Sequence, residues 1–146
     1  MLLPFMDGLI ATSSYDRECA RLADRHYSRR TVGAPQFCNN GRKLVLRDTA
    51  GLVVFVWQFP DPAMRWDGQT GFNNALFRNE SGRKSSEIIL EAERAVVAHW
   101  GPNRVYTYID ASKVKSVNPG YCFKVAGWKY IGRSRKGKHL LEKHLI

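Results

Sequence analysis

The chain has 146 residues, 23 Lys+Arg against 13 Asp+Glu, 44% hydrophobic residues and 12% aromatics. That length predicts one domain with enough apolar content for a core, and four Trp, seven Phe and six Tyr exclude a disordered chain. The longest apolar run, Leu52–Trp57, is too short to span a bilayer. The net charge of +10 needs an explanation and permits a polyanionic partner.

The first residues, MLLPFMDGLIATSS, lack a basic leader, and Pro4 and Asp7 interrupt the apolar stretch, so they read as a first strand or arm of a cytoplasmic protein. Ser13 or Ser14 is placed to cap a helix over Tyr15–Tyr27, with Cys19, Leu22, Ala23 and Tyr27 on its apolar face. Lys43–Arg47 and Leu52–Phe59, joined by the Asp48–Gly51 turn, read as a β-hairpin, and residues 60–72 as a loop. A short strand, Asn74–Arg78, precedes a long helix, Glu87–Trp100, whose stripe of Ile88, Ile89, Ala92, Ala95, Val96 and Trp100 is apolar. Gly101–Pro102 stops that helix. Arg104–Asp110 is then a central strand, Pro119–Ala126 a short helix, and Trp128–Arg133 with His139–Leu141 the closing strands.

Cys19, Cys38 and Cys122 are odd in number and widely spaced, which suits free thiols in a reducing compartment rather than a disulfide framework or zinc site. The charge is unevenly placed. Residues 1–110 carry 14 basic and 12 acidic residues, whereas residues 111–146 carry nine basic residues and one acid, Glu142. A near-neutral body with a basic last quarter suggests that this quarter meets a polyanion, through Lys113, Lys115, Arg133, Arg135, Lys136 and Lys138, the alternative being a solvated basic end that only aids solubility. Arg65–Trp66, a cation beside an aromatic in a loop, is suited to stacking on a nucleobase.

Two segments carry chemistry. The strand–turn–helix junction around Phe77–Arg78 and Ser81–Gly82–Arg83–Lys84–Ser85–Ser86 aims backbone N–H groups and two cations outward, as a pyrophosphate site requires. Neither a Walker loop nor a dinucleotide GxGxxG is present. The second segment, Asn118–Tyr130, is a helix ending in Gly127–Trp128 that passes directly into a strand.

That late segment resembles the N…LYxxxGF signature of the GNAT superfamily of N-acyltransferases, and the Arg78…Gly82–Arg83 turn resembles their phosphate turn, with one extra residue and Ser in place of its second glycine. The resemblance spans nearly the whole chain. It implies an α/β (α+β) single domain over residues 1–146: a mixed, mostly antiparallel twisted sheet flanked by helices. It also implies acetyl-CoA or another acyl-CoA as acyl donor, held by the 77–86 junction with Asn118 and Phe123.

His26–Tyr27–Ser28, the strand-end Asp110 and the Gly120…Phe123…Trp128 segment are similar to the Mom DNA-modification family of phages and prophages, which modifies adenine at N6. This narrower resemblance implies His26, Tyr27, Ser28 and Asp110 at the reaction centre, and allows iron on His26, Tyr27 and Asp110. Phe123 stands where the acyltransferases often carry the tyrosine that protonates the leaving thiolate, so either Tyr27 or Tyr121 supplies that proton or the chemistry differs from ordinary acetyl transfer.

Acyl transfer to a base amine in DNA is the leading expectation, with DNA and acyl-CoA as partners, no membrane, and a monomer or homodimer. An N-acetyltransferase for a small-molecule or protein amine, and a non-catalytic nucleic-acid-binding version of the fold, are the alternatives.

Overall fold

The computed structural model describes residues 8–27, 29, 31–39, 41–59, 68–113 and 118–146. The elements run β1 (Ile10–Thr12), α1 (Arg17–Asp24), β2 (Arg42–Arg47), β3 (Val53–Phe59), β4 (Phe72–Asn79), α2 (Ser85–Trp100), β5 (Arg104–Ile109), α3 (Tyr121–Val125), β6 (Lys129–Arg133) and β7 (His139–His144). All seven strands form one sheet in the order β1-β2-β3-β4-β5-β7-β6. Every neighbouring pair is antiparallel except β4–β5, which is parallel. The predicted mixed, mostly antiparallel sheet with flanking helices is therefore what forms.

The apolar run Val53–Trp57 is buried because β3 is a central strand covered on both faces. One face packs Leu44, Leu46, Phe55 and Trp57 against Ile89, Ala92 and Val96 of α2 and against Phe123 and Trp128. The other packs Val45, Val54, Val56 and Leu76 against Cys19, Leu22 and Ala23 of α1. Trp57 anchors the first face, stacking on Trp128 and donating its indole N–H to Ala92 O at 2.9 Å.

α1 is shorter than the periodicity predicts, and both ends have a cause in distant residues. Asp16, rather than Ser13 or Ser14, caps it: Oδ1 accepts from the Cys19 amide at 3.0 Å, while Oδ2 accepts from the Thr12 hydroxyl and Arg47 pairs with the carboxylate. The helix stops at Arg25, whose carbonyl accepts from Arg78 on β4 at 2.9 Å. His26 and Tyr27 thus leave the helix and turn toward the sheet. α2 begins two residues earlier than predicted, at Ser85.

β4 and β5 pair only from Phe72↔Val105 to Asn74↔Thr107. β4 also carries a bulge. Val56 pairs with Leu76 and Trp57 with Asn74, leaving Ala75 as the extra residue. Both irregularities fall at one point of the sheet.

Candidate functional site

The bulge is held by side chains. Asn74 Nδ2 donates to Val56 O at 3.2 Å and Leu76 O at 2.9 Å, and the Thr107 hydroxyl donates to Asn74 O at 3.0 Å. Both residues are buried, so their polar groups are committed to fixing this geometry. Bulges commonly sit next to active sites because they re-aim backbone and side chains. Ala75 here is exposed in the middle of the sheet, where an ordinary strand residue would be covered.

A cavity of about 390 Å³ opens on the α2 side of this point, lined by residues that include His26, Tyr27, Phe77, Ser85, Gly120 and Phe123. A second, of about 590 Å³, opens on the α1 side and includes Arg29, Gln36, Asp110 and Lys113. Tyr27, Asn39, Ala75, Leu76 and Lys138 line both. The two spaces meet at the bulge, with Tyr27 between them.

Of the predicted catalytic residues, His26, Tyr27 and Asp110 are brought together. The imidazole of His26 stacks on the Tyr27 ring at 4.3 Å between centroids. Burial, with the Arg78 cation adding to it, lowers the His26 pKa to about 4, so the ring is neutral at pH 7. Burial raises the pKa of Tyr27, against a smaller opposing pull from the Asp110 amide, so it remains a protonated phenol. That amide donates to the Tyr27 oxygen at 3.4 Å, which leaves the phenolic proton available to a third group. The Asp110 carboxylate accepts from the Ser112 hydroxyl at 2.6 Å and from its amide at 3.1 Å, and these bonds hold its pKa below the usual range. Ser28 lies outside the described residues, as do Arg65, Trp66 and Lys115. Tyr121 is 60% exposed and lines neither cavity, because α3 turns its Phe123 face inward and Tyr121 outward.

The predicted metal set does not fit a metal. Among the described residues no group of three or more His, Cys, Asp or Glu side chains is arranged to hold one. His26 meets Tyr27 face to face with Arg78 beside it, and Asp110 approaches Tyr27 through its amide rather than its carboxylate.

At the strand–helix junction, Asn79 organises the turn. Its Oδ1 accepts from the Ser81 amide at 2.9 Å, and its Nδ2 donates to Arg83 O at 2.8 Å and Ser85 Oγ at 3.0 Å. Lys84 occupies the N-cap of α2 without a side-chain cap bond, Gly82 and Lys84 are exposed, and Ser86 is half-buried. The amides of Ser85 and Ser86, in the first turn, have no intrahelical acceptor and suit an anion. Two predicted cofactor cations have other duties. Arg78 binds Glu80 and Arg25 O, and Arg83 binds Glu91 at 2.7 Å. Phe77 and Phe123 line the α2-side cavity and meet edge to face at 6.1 Å. Asn118 lies outside it and accepts from Lys124 at 2.6 Å.

No protein-family model matches this sequence, and no curated protein matches it. Among solved structures the chain is similar to the GNAT domain of S. lividans PAT, with a TM-score of 0.63 and 14% identity, over 94% of this chain and 89% of that one. The chain has a GNAT fold. At that identity the likeness establishes architecture alone.

Within the GNAT fold, the residues missed from sequence are Asn74, Ala75 and Thr107, which build the bulge, and Asn79, which builds the turn. Asn73–Asn74 was a visible polar pair at the start of a strand, but its role depends on β3 and β5 partners far away in sequence. The basic quarter also divides. Lys143 is turned inward, donating to Glu93 and Ala126 O at 2.7 Å each, and Lys124 is spent on Asn118. Arg133, Arg135 and Lys136 are exposed around the β6–β7 turn, while Lys138 is half-buried at the junction of the cavities.

Proposed function

We propose that this protein is an acyl-CoA-dependent N-acyltransferase acting on an amine. The observation that carries the reading is the meeting of two cavities at the Ala75 bulge, with Tyr27 lining both. Such a site admits a donor from one side and an acceptor from the other and brings their reacting atoms together, which is the main task of a two-substrate transfer. The acyl-CoA enters from the α2 side, with its pyrophosphate against the Ser81–Ser86 turn and its thioester near Tyr27.

In the reaction the acceptor nitrogen attacks the thioester carbonyl. A C–N bond forms, the C–S bond breaks, the amine gives up a proton and the departing thiolate takes one. Tyr27 is suited to supply the thiolate proton, since burial keeps it protonated. The amine proton passes to water, because His26, with its pKa lowered to about 4, is too weak a base to hold it at pH 7.

The test is isothermal titration with acetyl-CoA, followed by detection of released CoA thiol in the presence of a panel of amines. Micromolar acetyl-CoA binding that weakens in Ser85→Tyr supports the reading. No heat and no thermal shift with acetyl-CoA would refute it.

A second reading, with a DNA base as the amine and the Mom family as the counterpart, is favoured by the exposed Arg133, Arg135 and Lys136 on the β6–β7 turn, the turn whose Lys138 lines the acceptor-side cavity. Here the check is mass spectrometry of nucleosides from DNA of expressing cells. A modified base present with the native chain and absent with Asp110→Ala supports DNA as substrate. Unmodified DNA together with acetylation of a small amine rules it out.

A further inference from the structure

The acceptor-side cavity has charged side chains that the transfer chemistry does not use. Its charged lining among the described residues is Arg29, Asp110, Lys113 and Lys138. Arg29 is structural: its side chain is 8% exposed and binds Asp24 Oδ1 at 2.8 Å, Gln36 O at 3.2 Å and Ala34 O, closing the loop after α1. Lys113 and Lys138 are different. Neither ammonium has a carboxylate within salt-bridge distance or a hydrogen-bond partner among the described residues, and Asp110 feels both charges.

They come from separate elements. Lys113 sits in the turn after β5, fixed by its amide donating to Asp110 O at 3.0 Å. Lys138 closes the β6–β7 turn, where its amide donates to Ser134 Oγ at 3.1 Å and its carbonyl accepts from the Ser134 amide at 2.9 Å. The fold therefore brings two ammonium groups to one cavity wall, beside a single carboxylate whose bonds go to Ser112.

We infer that the acceptor amine belongs to a phosphate-bearing molecule, and that Lys113 and Lys138 bind its phosphate in the α1-side cavity while the amine points to Tyr27. This rests on the acyltransferase reading and names its substrate class. Two ammonium groups carried by separate elements suit a phosphate as point-charge donors. Their charge also disfavours the ammonium form of an amine held nearby, leaving more of it neutral and nucleophilic. Free aminated phosphates and nucleic acid share this chemistry.

The experiment titrates inorganic phosphate into protein saturated with desulfo-CoA, followed by NMR. Phosphate binds the CoA-loaded protein, and Lys113→Ala and Lys138→Ala each weaken it roughly tenfold, the worth of one charged hydrogen bond. Lys136→Ala, on the exposed turn and lining neither cavity, changes it less than about twofold. The inference is overturned if desulfo-CoA displaces the phosphate, or if Lys136→Ala weakens it as much as Lys113→Ala does. Should desulfo-CoA itself not bind, the acyltransferase reading falls, while phosphate titration of the ligand-free variants still decides the lysine site. With 5′-AMP and a short single-stranded oligonucleotide as further probes, dependence of the oligonucleotide alone on Lys136 assigns the phosphate to nucleic acid. Equal Lys113 and Lys138 dependence of 5′-AMP without any gain for the oligonucleotide assigns it to a small molecule.

Discussion

Lys143 tests whether the basic last quarter is surface charge or partly internal structure. Its ammonium donates to Glu93 Oε1 and to Ala126 O at 2.7 Å, and Glu93 Oε2 accepts from the Trp128 indole at 2.8 Å. The Glu93 side chain is 8% exposed and that of Lys143 25%. Lys143→Met leaves the Glu93 carboxylate buried with only Trp128 to answer it. Removing one partner of a fully buried ion pair costs about 3–5 kcal/mol, and the water that reaches Lys143 brings this to about 2–3 kcal/mol. At this chain length that lowers Tm by about 5–10 °C.

Glu93→Gln keeps an acceptor for Trp128 and leaves Lys143 to water and Ala126, so it costs only about 1 kcal/mol. Urea unfolding of both single variants and the double variant gives the coupling, expected at about 1–2 kcal/mol. Because the network holds the end of α3, and α3 places Cys122 and Phe123 on the donor-side cavity, acetyl-CoA affinity should fall with Lys143→Met. A Lys143→Met variant within about 0.5 kcal/mol of the native chain would refute the interior role and return Lys143 to the surface charge.

The Asp16 carboxyl, which burial alone would raise, is held at about 2 by the Thr12 hydroxyl, the Cys19 amide and Arg47. Its contribution is present above the unfolded value near 4 and lost as pH falls toward 2, so Asp16→Asn should flatten the acid limb of a Tm-versus-pH curve. Its loss as N-cap should also cost about 1 kcal/mol at pH 7 in urea unfolding. His26 has the same sign: its folded pKa is lowered, so the unfolded chain binds the extra proton and stability declines as pH falls from about 6.5 to about 4. His26→Gln should remove that slope in the same curve. Tyr27→Phe should reduce the rate of acyl transfer by roughly 10²–10⁴ at unchanged acetyl-CoA affinity, read by CoA release and calorimetry. Cys122 lines the donor-side cavity and burial raises its pKa, so iodoacetamide should label it slowly, and acetyl-CoA should slow it further, as read by peptide mass spectrometry.

Much of the element order was legible because it is local. The β2–β3 hairpin follows from two apolar runs around a turn, and α2 from a single apolar stripe. The end of α1 was not legible, since Arg78, 53 residues away, takes the carbonyl that closes it. The Ala75 bulge was not legible either. A one-residue slip between β3 and β4 leaves no mark in composition, and it is fixed by Asn74 and Thr107 only once three strands are adjacent. His26, Tyr27 and Asp110 came from a resemblance, and the fold does gather them, but as a neutral imidazole stacked on a protonated phenol, with the Asp110 carboxylate bound to Ser112, an arrangement that does not fit a metal.

The charge of +10 changes meaning once the strands are in place. A sum over the last quarter treats Lys124, Lys138, Lys143 and Arg133 as equivalent, yet one binds Asn118, one borders both cavities, one is internal and one is exposed. If Arg133, Arg135, Lys136 and Lys138 are the charges that meet DNA, the log–log salt slope of duplex binding is roughly −3.5. A six-charge footprint, which the undivided basic quarter allows, gives roughly −5. A slope at the shallower value, lost stepwise in Arg133→Ala, Arg135→Ala and Lys136→Ala, fits a polyanion lying on the β6–β7 turn. A slope near zero with Lys113 and Lys138 still required for phosphate binding separates the two roles: the pair at the cavity then reads one phosphate on the acceptor, and the turn charges serve no duplex.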